Sequence, residues 1–318
     1  MKIVKKIFTL CMIFCIVGVF CACSNSITTN EFIDLSGAVI APEEEEARTY
    51  EVMVYYKDTY GYVVPVQTKI EWSEGIAKAV IRKMMNTAEL QKDLVVMGLE
   101  SLMPPEAVIN GLDISNGLAK IDFATNKITL NNARDEKCFV EGVVLALTTF
   151  PTVTEVQFMF NGHIIDTLPF GTNVSKPLKA VDINADTSTM GNATTLYYSA
   201  QSPTSYTYFV PVTTYLGTSD CKSAINQLIE GKNNNLETCI PQNARLLNCQ
   251  MIGDTLCLFF NDEFNKLKNS YVDEMHAMKS ITLTCSQFYE FTDVKVYAGS
   301  KEYKLNHDLD VFATANVG

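Results

Sequence analysis

The chain has 318 residues, 47% of them hydrophobic and 19% charged. This is a globular balance rather than a disordered one, and the length suits about two ordinary domains. A net charge of −11 gives phosphates no electrostatic reason to bind, which argues against nucleic acid as a partner.

The first residues are a separate segment. Lys2, Lys5 and Lys6 make a basic start, and residues 7–22 are an apolar run of 16. A membrane-spanning helix needs roughly 20 apolar residues. A basic start, a shorter apolar run and the small Ala22 before a break read instead as a secretory signal. Ala22-Cys23 resembles a bacterial lipobox, in which Cys23 receives lipid and becomes the new N-terminus. Phe20 stands where that motif usually has Leu. Removing residues 1–22 takes away three lysines and no acid, so −11 becomes −14. The expectation is an exported protein held on the outer face of the cytoplasmic membrane by its N-terminal lipid. Residues 23–49 read as a tether. The four carboxylates Glu43, Glu44, Glu45 and Glu46 read there as a solvated run, not as a calcium site.

Beyond the tether the chain repeats itself at a spacing of about 140 residues, the mark of an internal duplication. Tyr55-Tyr56 and Val64-Pro65-Val66 recur as Tyr197-Tyr198 and Val210-Pro211-Val212. Each set reads as two strands around a short turn. Proline cannot donate to a ladder, so Pro65 and Pro211 predict an edge strand or a local break. A helix follows. Ser73 is the expected cap in copy one, with Ile76, Ala77, Val80, Ile81 and Met84 on one stripe. In copy two Ser219 or Asp220 caps, Cys221, Ala224, Ile225 and Leu228 form the stripe, and Gly231 ends it.

Met103-Pro104 then matches Ile240-Pro241, ahead of a second hairpin. Asn116-Gly117 is a type I′ turn signal, and Gly253-Asp254 holds the same place. A two-residue turn pairs Ile114 with Ala119 and Leu112 with Ile121, and puts Phe123 on the same face. Met251, Leu256, Cys249, Leu258 and Phe260 make that face in copy two. A second helix carries Phe139, Val143, Ala146, Leu147 and Phe150, matched by Ala277, Ile281, Thr284, Cys285 and Phe288. A strand from Val156, or from Val294, closes each copy. The expected class is therefore α+β: two tandem copies of a small domain, each with a mostly antiparallel sheet and two helices. The boundaries are 1–22 for the signal, 23–49 for the tether, 50–178 and 194–305 for the domains, 179–193 for a linker and 306–318 for a tail.

Ten cysteines invite a search for chemistry. Cys11, Cys15 and Cys21 leave with the signal, and Cys23 is the lipidation site. Cys138, Cys221, Cys239, Cys249, Cys257 and Cys285 remain, an even number that permits disulfides in an exported chain. The repeat assigns most of them to packing. Cys221 aligns with Ala77, Cys239 with Leu102, Cys249 with Leu112 and Cys285 with Leu147, and a buried thiol behaves as a small hydrophobe. Cys249 and Cys257 flank one turn but fall on opposite faces. No spacing suits zinc.

Cys257 and Phe259 align with Lys120 and Asp122, so an outer face that is charged in copy one is apolar in copy two. An apolar patch on such a face meets something, either the other domain or another protein. Cys257 and Phe259 are therefore candidate interaction residues. Tyr206 and Tyr208 join them, as part of an aromatic set (Tyr55, Tyr56, Tyr60, Tyr62, Tyr197, Tyr198) that could instead form a platform for cell-wall polymer. His163, His276 and His307 complete no catalytic arrangement, and a Cys138–His163 dyad would require exposure and contact. No hydrolase, metalloprotease, phosphate-loop or dinucleotide motif is present. No matched pair of acids is read in both copies. The reading contains no catalytic residue, no metal and no cofactor.

Leu145-Ala146-Leu147-Thr148-Thr149-Phe150-Pro151, continuing through Val156 to Asn161-Gly162, resembles the GerMN domain family of sporulation and spore germination proteins. Tyr55-Tyr56, Val64-Pro65-Val66 and the stretch from Asn116-Gly117 to Phe123 belong to the same pattern. Copy two matches it through Leu283, Phe288 and Thr292-Asp293-Val294, without a Pro151 equivalent. The resemblance implies a non-enzymatic envelope lipoprotein, with domains similar to the ring-building modules of secretion-type assemblies. It implies protein partners of the envelope or of a sporulation complex, and a role as scaffold or assembly factor. The alternative is an extracellular module that binds cell-wall polymer or another envelope ligand.

Overall fold

A computed structural model of the chain describes residues 49–71, 73, 75–124, 128–185, 190–231, 235–306, 308, 310 and 314–318. The signal, Cys23, the tether and His307 lie outside the described residues.

Each copy opens on a long hairpin: β1 (Thr49–Asp58) with β2 (Val63–Glu71), and β8 (Asn192–Gln201) with β9 (Thr207–Leu216). The register sets Tyr55 opposite Pro65 and Tyr197 opposite Pro211. Within their sheets β2 pairs only with β1 and β9 only with β8, so both prolines stand in edge strands, where the missing N–H breaks no ladder.

Helices α1 (Ile76–Met84) and α4 (Cys221–Glu230) follow their hairpins. Asp220 caps α4 by accepting the Ser223 N–H at 2.9 Å, and Gly231 ends it, as its sequence predicts. The start of α1 differs. Gly75 enters the left-handed region with φ 88, and its carbonyl takes the N–H groups of Lys78 and Ala79. The helix therefore begins too late for the Ser73 hydroxyl to cap it. Copy one then adds two elements with no sequence-based expectation: α2 (Ala88–Met97), capped by the Thr87 hydroxyl, and the short β3 (Leu99–Glu100) beside β1.

The second sheet of copy one has the order β4-β5-β6-β7, from β4 (Ile109–Ser115), β5 (Leu118–Phe123), β6 (Glu155–Phe160) and β7 (Leu178–Lys179). Copy two repeats it with β10 (Leu246–Ile252), β11 (Thr255–Phe260), β12 (Asp293–Ala298) and β13 (Lys301–Tyr303). Helices α3 (Ala133–Thr148) and α5 (Tyr271–Cys285) connect the middle strands, which pair in parallel; all other pairings are antiparallel. Ile114 meets Ala119 and Leu112 meets Ile121, while Met251 meets Leu256 and Cys249 meets Leu258, the registers read from the turns. The α+β class stands, although each copy holds its strands in two sheets rather than one.

The helices bury their stripes against these sheets. Phe139 of α3 meets Phe123 and Phe158 edge-on at 5.6 and 5.7 Å. In copy two Phe264, from a 3-10 helix over Asp262–Asn269, stacks on Phe260 at 4.1 Å. Burying one such ring contributes roughly 1.5–3 kcal/mol. The described residues from Thr49 onward belong to one compact unit, and both copies contribute to a shared core.

The seam between the domains as candidate functional site

The free edges of β2 and β9 face each other, but they do not ladder. Two asparagines bridge them. Asn184 accepts the Val63 N–H at 2.7 Å and donates to the carbonyls of Val63 and Pro211, each at 2.7 Å. Asn316 accepts the Phe209 N–H at 2.7 Å and donates to the carbonyls of Phe209 and Pro65, each at 2.8 Å. Val63 and Phe209 each stand two residues before the repeated proline. The two clamps are thus equivalent under the repeat, and each ties one hairpin to the other. Asn184 lies in the segment that the sequence predicts to be a linker, and Asn316 in the tail. Both segments are structural: Ile183 accepts the Thr213 N–H at 2.9 Å, and Asn316 accepts the Gln67 N–H at 2.9 Å through its carbonyl. Glu141 of α3 fixes the Asn184 backbone N–H at 2.5 Å.

Further contacts extend the seam. Tyr208 donates to Asp58 Oδ2 at 3.2 Å, while Oδ1 accepts the N–H groups of Tyr60 and Tyr62 at 2.9 and 2.8 Å. Burial pushes the Asp58 carboxyl above its ordinary value, and these hydrogen bonds only partly offset it. Thr204 donates to the Val96 carbonyl at the end of α2, at 2.8 Å. Gly98 follows at φ 70, and a Cβ there would collide with Ser202 of the second domain. Helix α2, which has no counterpart among the described residues of copy two, therefore serves as a rest for copy two's hairpin turn.

One matched pair of acids was missed by the sequence reading. Asp135-Glu136 and Asp273-Glu274 open α3 and α5 at the same place. Glu136 is fully buried and accepts the N–H groups of Phe170 and Thr172 at 2.6 and 2.8 Å. Glu274 is fully buried and accepts the Tyr303 hydroxyl at 2.6 Å and the Asn306 N–H at 2.8 Å. In both copies the carboxylate ties down the chain after the last long strand. The available signal was Asp-Glu one turn into each second helix.

The candidate interaction residues are not gathered into a surface. Tyr208 and Cys257 are 1% and 2% exposed, so neither side chain can meet a partner. Tyr208 is sunk into the seam, and Cys257 is a small residue on a central strand between Gln250 and Lys295. Phe259 and Tyr206 are half-buried; Phe259 stacks on Tyr297 at 4.8 Å, and the Tyr206 hydroxyl reaches the Val317 carbonyl at 3.5 Å. The tyrosines form no platform either. Of this set Tyr55, Tyr56 and Tyr198 are buried, Tyr60 alone is well exposed, and Tyr197 is half-buried at the wall of a cleft.

Cys221 and Cys285 lie 3.4 Å apart and unbonded in the core of copy two, with Cys249 beside Tyr289 at 3.8 Å. The Cys249 hydrogen bond pulls the Cys221 thiol down, but the bond to Cys285 and burial outweigh it and leave it raised. Cys138 is buried and donates to the Gly61 carbonyl at 3.2 Å; burial pushes it up to about 12. His163 sits exposed in the turn after β6. His276 packs against Phe209 at 6.1 Å, and burial lowers its pKa.

Two of the clefts on the described surface border residues named above. One of about 350 Å³, within copy one, has Lys57 at its wall, paired with Asp135 at 2.6 Å and Glu100 at 3.3 Å. Burial pushes Asp135 up, but Lys57 and Asn131 outweigh it and hold the carboxyl below its ordinary value. The other, of about 510 Å³, lies on the seam between Tyr55, Pro65, Tyr197 and Pro211.

Hairpin, helix, hairpin, helix and strand, repeated and joined through a shared seam, define a tandem α+β domain protein. The family model described as Germane, sporulation and spore germination, matches residues 53–166 and 195–304, and the chain belongs to that family. Among solved structures, the tandem GerMN domains of the sporulation protein GerM from Bacillus subtilis are similar at 26% identity and a TM-score of 0.61. That match covers 80% of this chain and 92% of the other. The first GerMN domain of the same protein is 28% identical, with a TM-score of 0.37, over 41% of this chain and 97% of that one. No curated protein sequence matches. Among the described residues no helix is long and apolar enough to cross a membrane.

Proposed function

We propose that the chain is a non-enzymatic, lipid-anchored envelope protein that acts as a scaffold or assembly factor in sporulation or spore germination, through contacts with other envelope proteins. The observation that carries this reading is the seam. The side-chain amides of Asn184 and Asn316 are engaged with backbone groups, so they make one rigid body of two domains rather than a reactive centre. Family membership and the likeness to a sporulation protein support the setting. The sequence Ala22-Cys23 supports the anchor.

In-cell cross-linking of the lipidated chain, read by mass spectrometry, tests the reading. Cross-links to envelope proteins are expected, and a Cys23→Ala chain should leave the membrane and lose them. An absence of cross-linked proteins, with normal sporulation in a deletion strain, would overturn it. A second reading, a module that binds cell-wall polymer, has one observation in its favour, the cleft between Tyr55 and Tyr197.

A further inference from the structure

Pro65 and Pro211 create a space. With no N–H at either position, β2 and β9 cannot zip into one sheet. Asn184 and Asn316 hold the edges apart as bridges, and a cleft of about 510 Å³ remains on the seam. Its walls repeat: Tyr55 and Tyr197, Pro65 and Pro211, Leu145 and Leu283. A concave site between domains, mostly apolar with a few polar groups, is the usual form of a small-ligand site.

The walls define the ligand's chemistry. Among the described residues they carry no basic residue, and their single acid, Asp182, already accepts the Tyr215 hydroxyl at 2.6 Å. A charged ligand would find no counter-ion. Each tyrosine stands directly across the hairpin from a proline, which makes two flat surfaces rich in C–H groups. Hydroxyls remain unspent. Thr314 Oγ1 is buried with no hydrogen-bond partner among the described residues, a rarity in native proteins. Burial raises the Tyr197 hydroxyl, and no hydrogen bond from it appears among the described residues.

We infer that the cleft binds a neutral saccharide. The ring C–H faces lie against the half-buried Tyr197 and the prolines Pro65 and Pro211, and the sugar hydroxyls pair with those of Tyr197 and Thr314. This deepens the second reading above and is independent of the scaffold role. A proline-rich peptide is the competing neutral occupant.

The test titrates the full chain in detergent micelles with a soluble tetramer of β-1,4-linked N-acetylglucosamine, by calorimetry and saturation-transfer NMR. A proline-rich decapeptide is the parallel arm. Saturable saccharide binding is expected, weakened about ten-fold or more by Tyr197→Ala. Tyr197→Phe, which keeps the ring, should weaken it less, and Val95→Ala, on the exposed side of α2, not at all. Unchanged circular dichroism and melting temperature show that the Tyr197 variants fold. No saturable binding, binding indifferent to Tyr197→Ala and Thr314→Val, or binding of the peptide instead would overturn the inference. If Tyr197→Ala still sediments with insoluble cell wall, the second reading survives and the cleft is not its site.

Discussion

Tyr208 of the second domain donates its hydroxyl hydrogen to the carboxylate of Asp58 in the first, 3.2 Å away, and both side chains are buried. Asp58 also collects the N–H groups of Tyr60 and Tyr62, so a single carboxylate orders the turn of one hairpin and seats it against the next. Residues of this kind make the tandem domains one body.

That body is sensitive to pH at Asp58. Its folded-state pKa is raised above the ordinary value near 3.8, chiefly by burial. The contribution to stability is full below the unfolded-state pKa and is lost as pH rises through the folded-state value. Asp58→Asn keeps an acceptor for the two N–H groups, and its amide can donate to the Tyr208 oxygen. Urea titrations from pH 4 to neutral should show a shallower loss of stability in Asp58→Asn than in the parent. Asp58→Ala should cost about 2–4 kcal/mol, because it strands three donors.

At Gly98 the backbone of copy one lies close against copy two. Its φ of 70 disfavours any side chain, and a Cβ would meet Ser202. Gly98→Ala should destabilise the chain by about 1–3 kcal/mol in chemical denaturation. Gly111→Ala meets nothing within 4 Å and serves as the control, with a change within about 0.5 kcal/mol.

The buried glutamates form a matched experiment. Glu274→Ala leaves the Tyr303 hydroxyl and the Asn306 N–H without their acceptor, and Glu136→Ala does the same to Phe170 and Thr172. Each should cost roughly 3 kcal/mol. Hydrogen exchange should accelerate locally, after β6 in one variant and after β12 in the other, which separates the two from a general loss of stability.

The six cysteines of the two domains should all be free thiols that respond to unfolding. Burial raises Cys138 and Cys239, and hydrogen bonding between thiols together with burial raises Cys221 and Cys249. Thiolate is therefore scarce at these four, Cys257 and Cys285 are shielded by burial, and iodoacetamide at pH 8 should react slowly. In denaturant all six should alkylate; a count of four would reveal a disulfide.

Much of this fold was legible because the copies could be compared. Asn116-Gly117 and Gly253-Asp254 set the hairpin registers, and Cys221 and Cys285 were recognised as core positions from Ala77 and Leu147. What the comparison missed lies where two copies meet. An alternating strand shows that Tyr208 has one face in and one face out, but not that the outer face is covered by a second domain. Asn184 and Asn316 sit in polar segments of unequal length, so they do not align at the spacing of the strands. Asp135-Glu136 and Asp273-Glu274 look like solvated first-turn acids; only the folded chain shows that loops returning after β6 and β12 bury their glutamates.

Cooperativity of unfolding tests the central claim, that the asparagine clamps weld two domains into one body. Differential scanning calorimetry of the parent should give one transition whose calorimetric and van't Hoff enthalpies agree. In Asn184→Ala/Asn316→Ala, where about six hydrogen bonds are removed, that transition should fall and split in two. Two independent transitions in the parent, or a double variant that melts like the parent, would contradict the account.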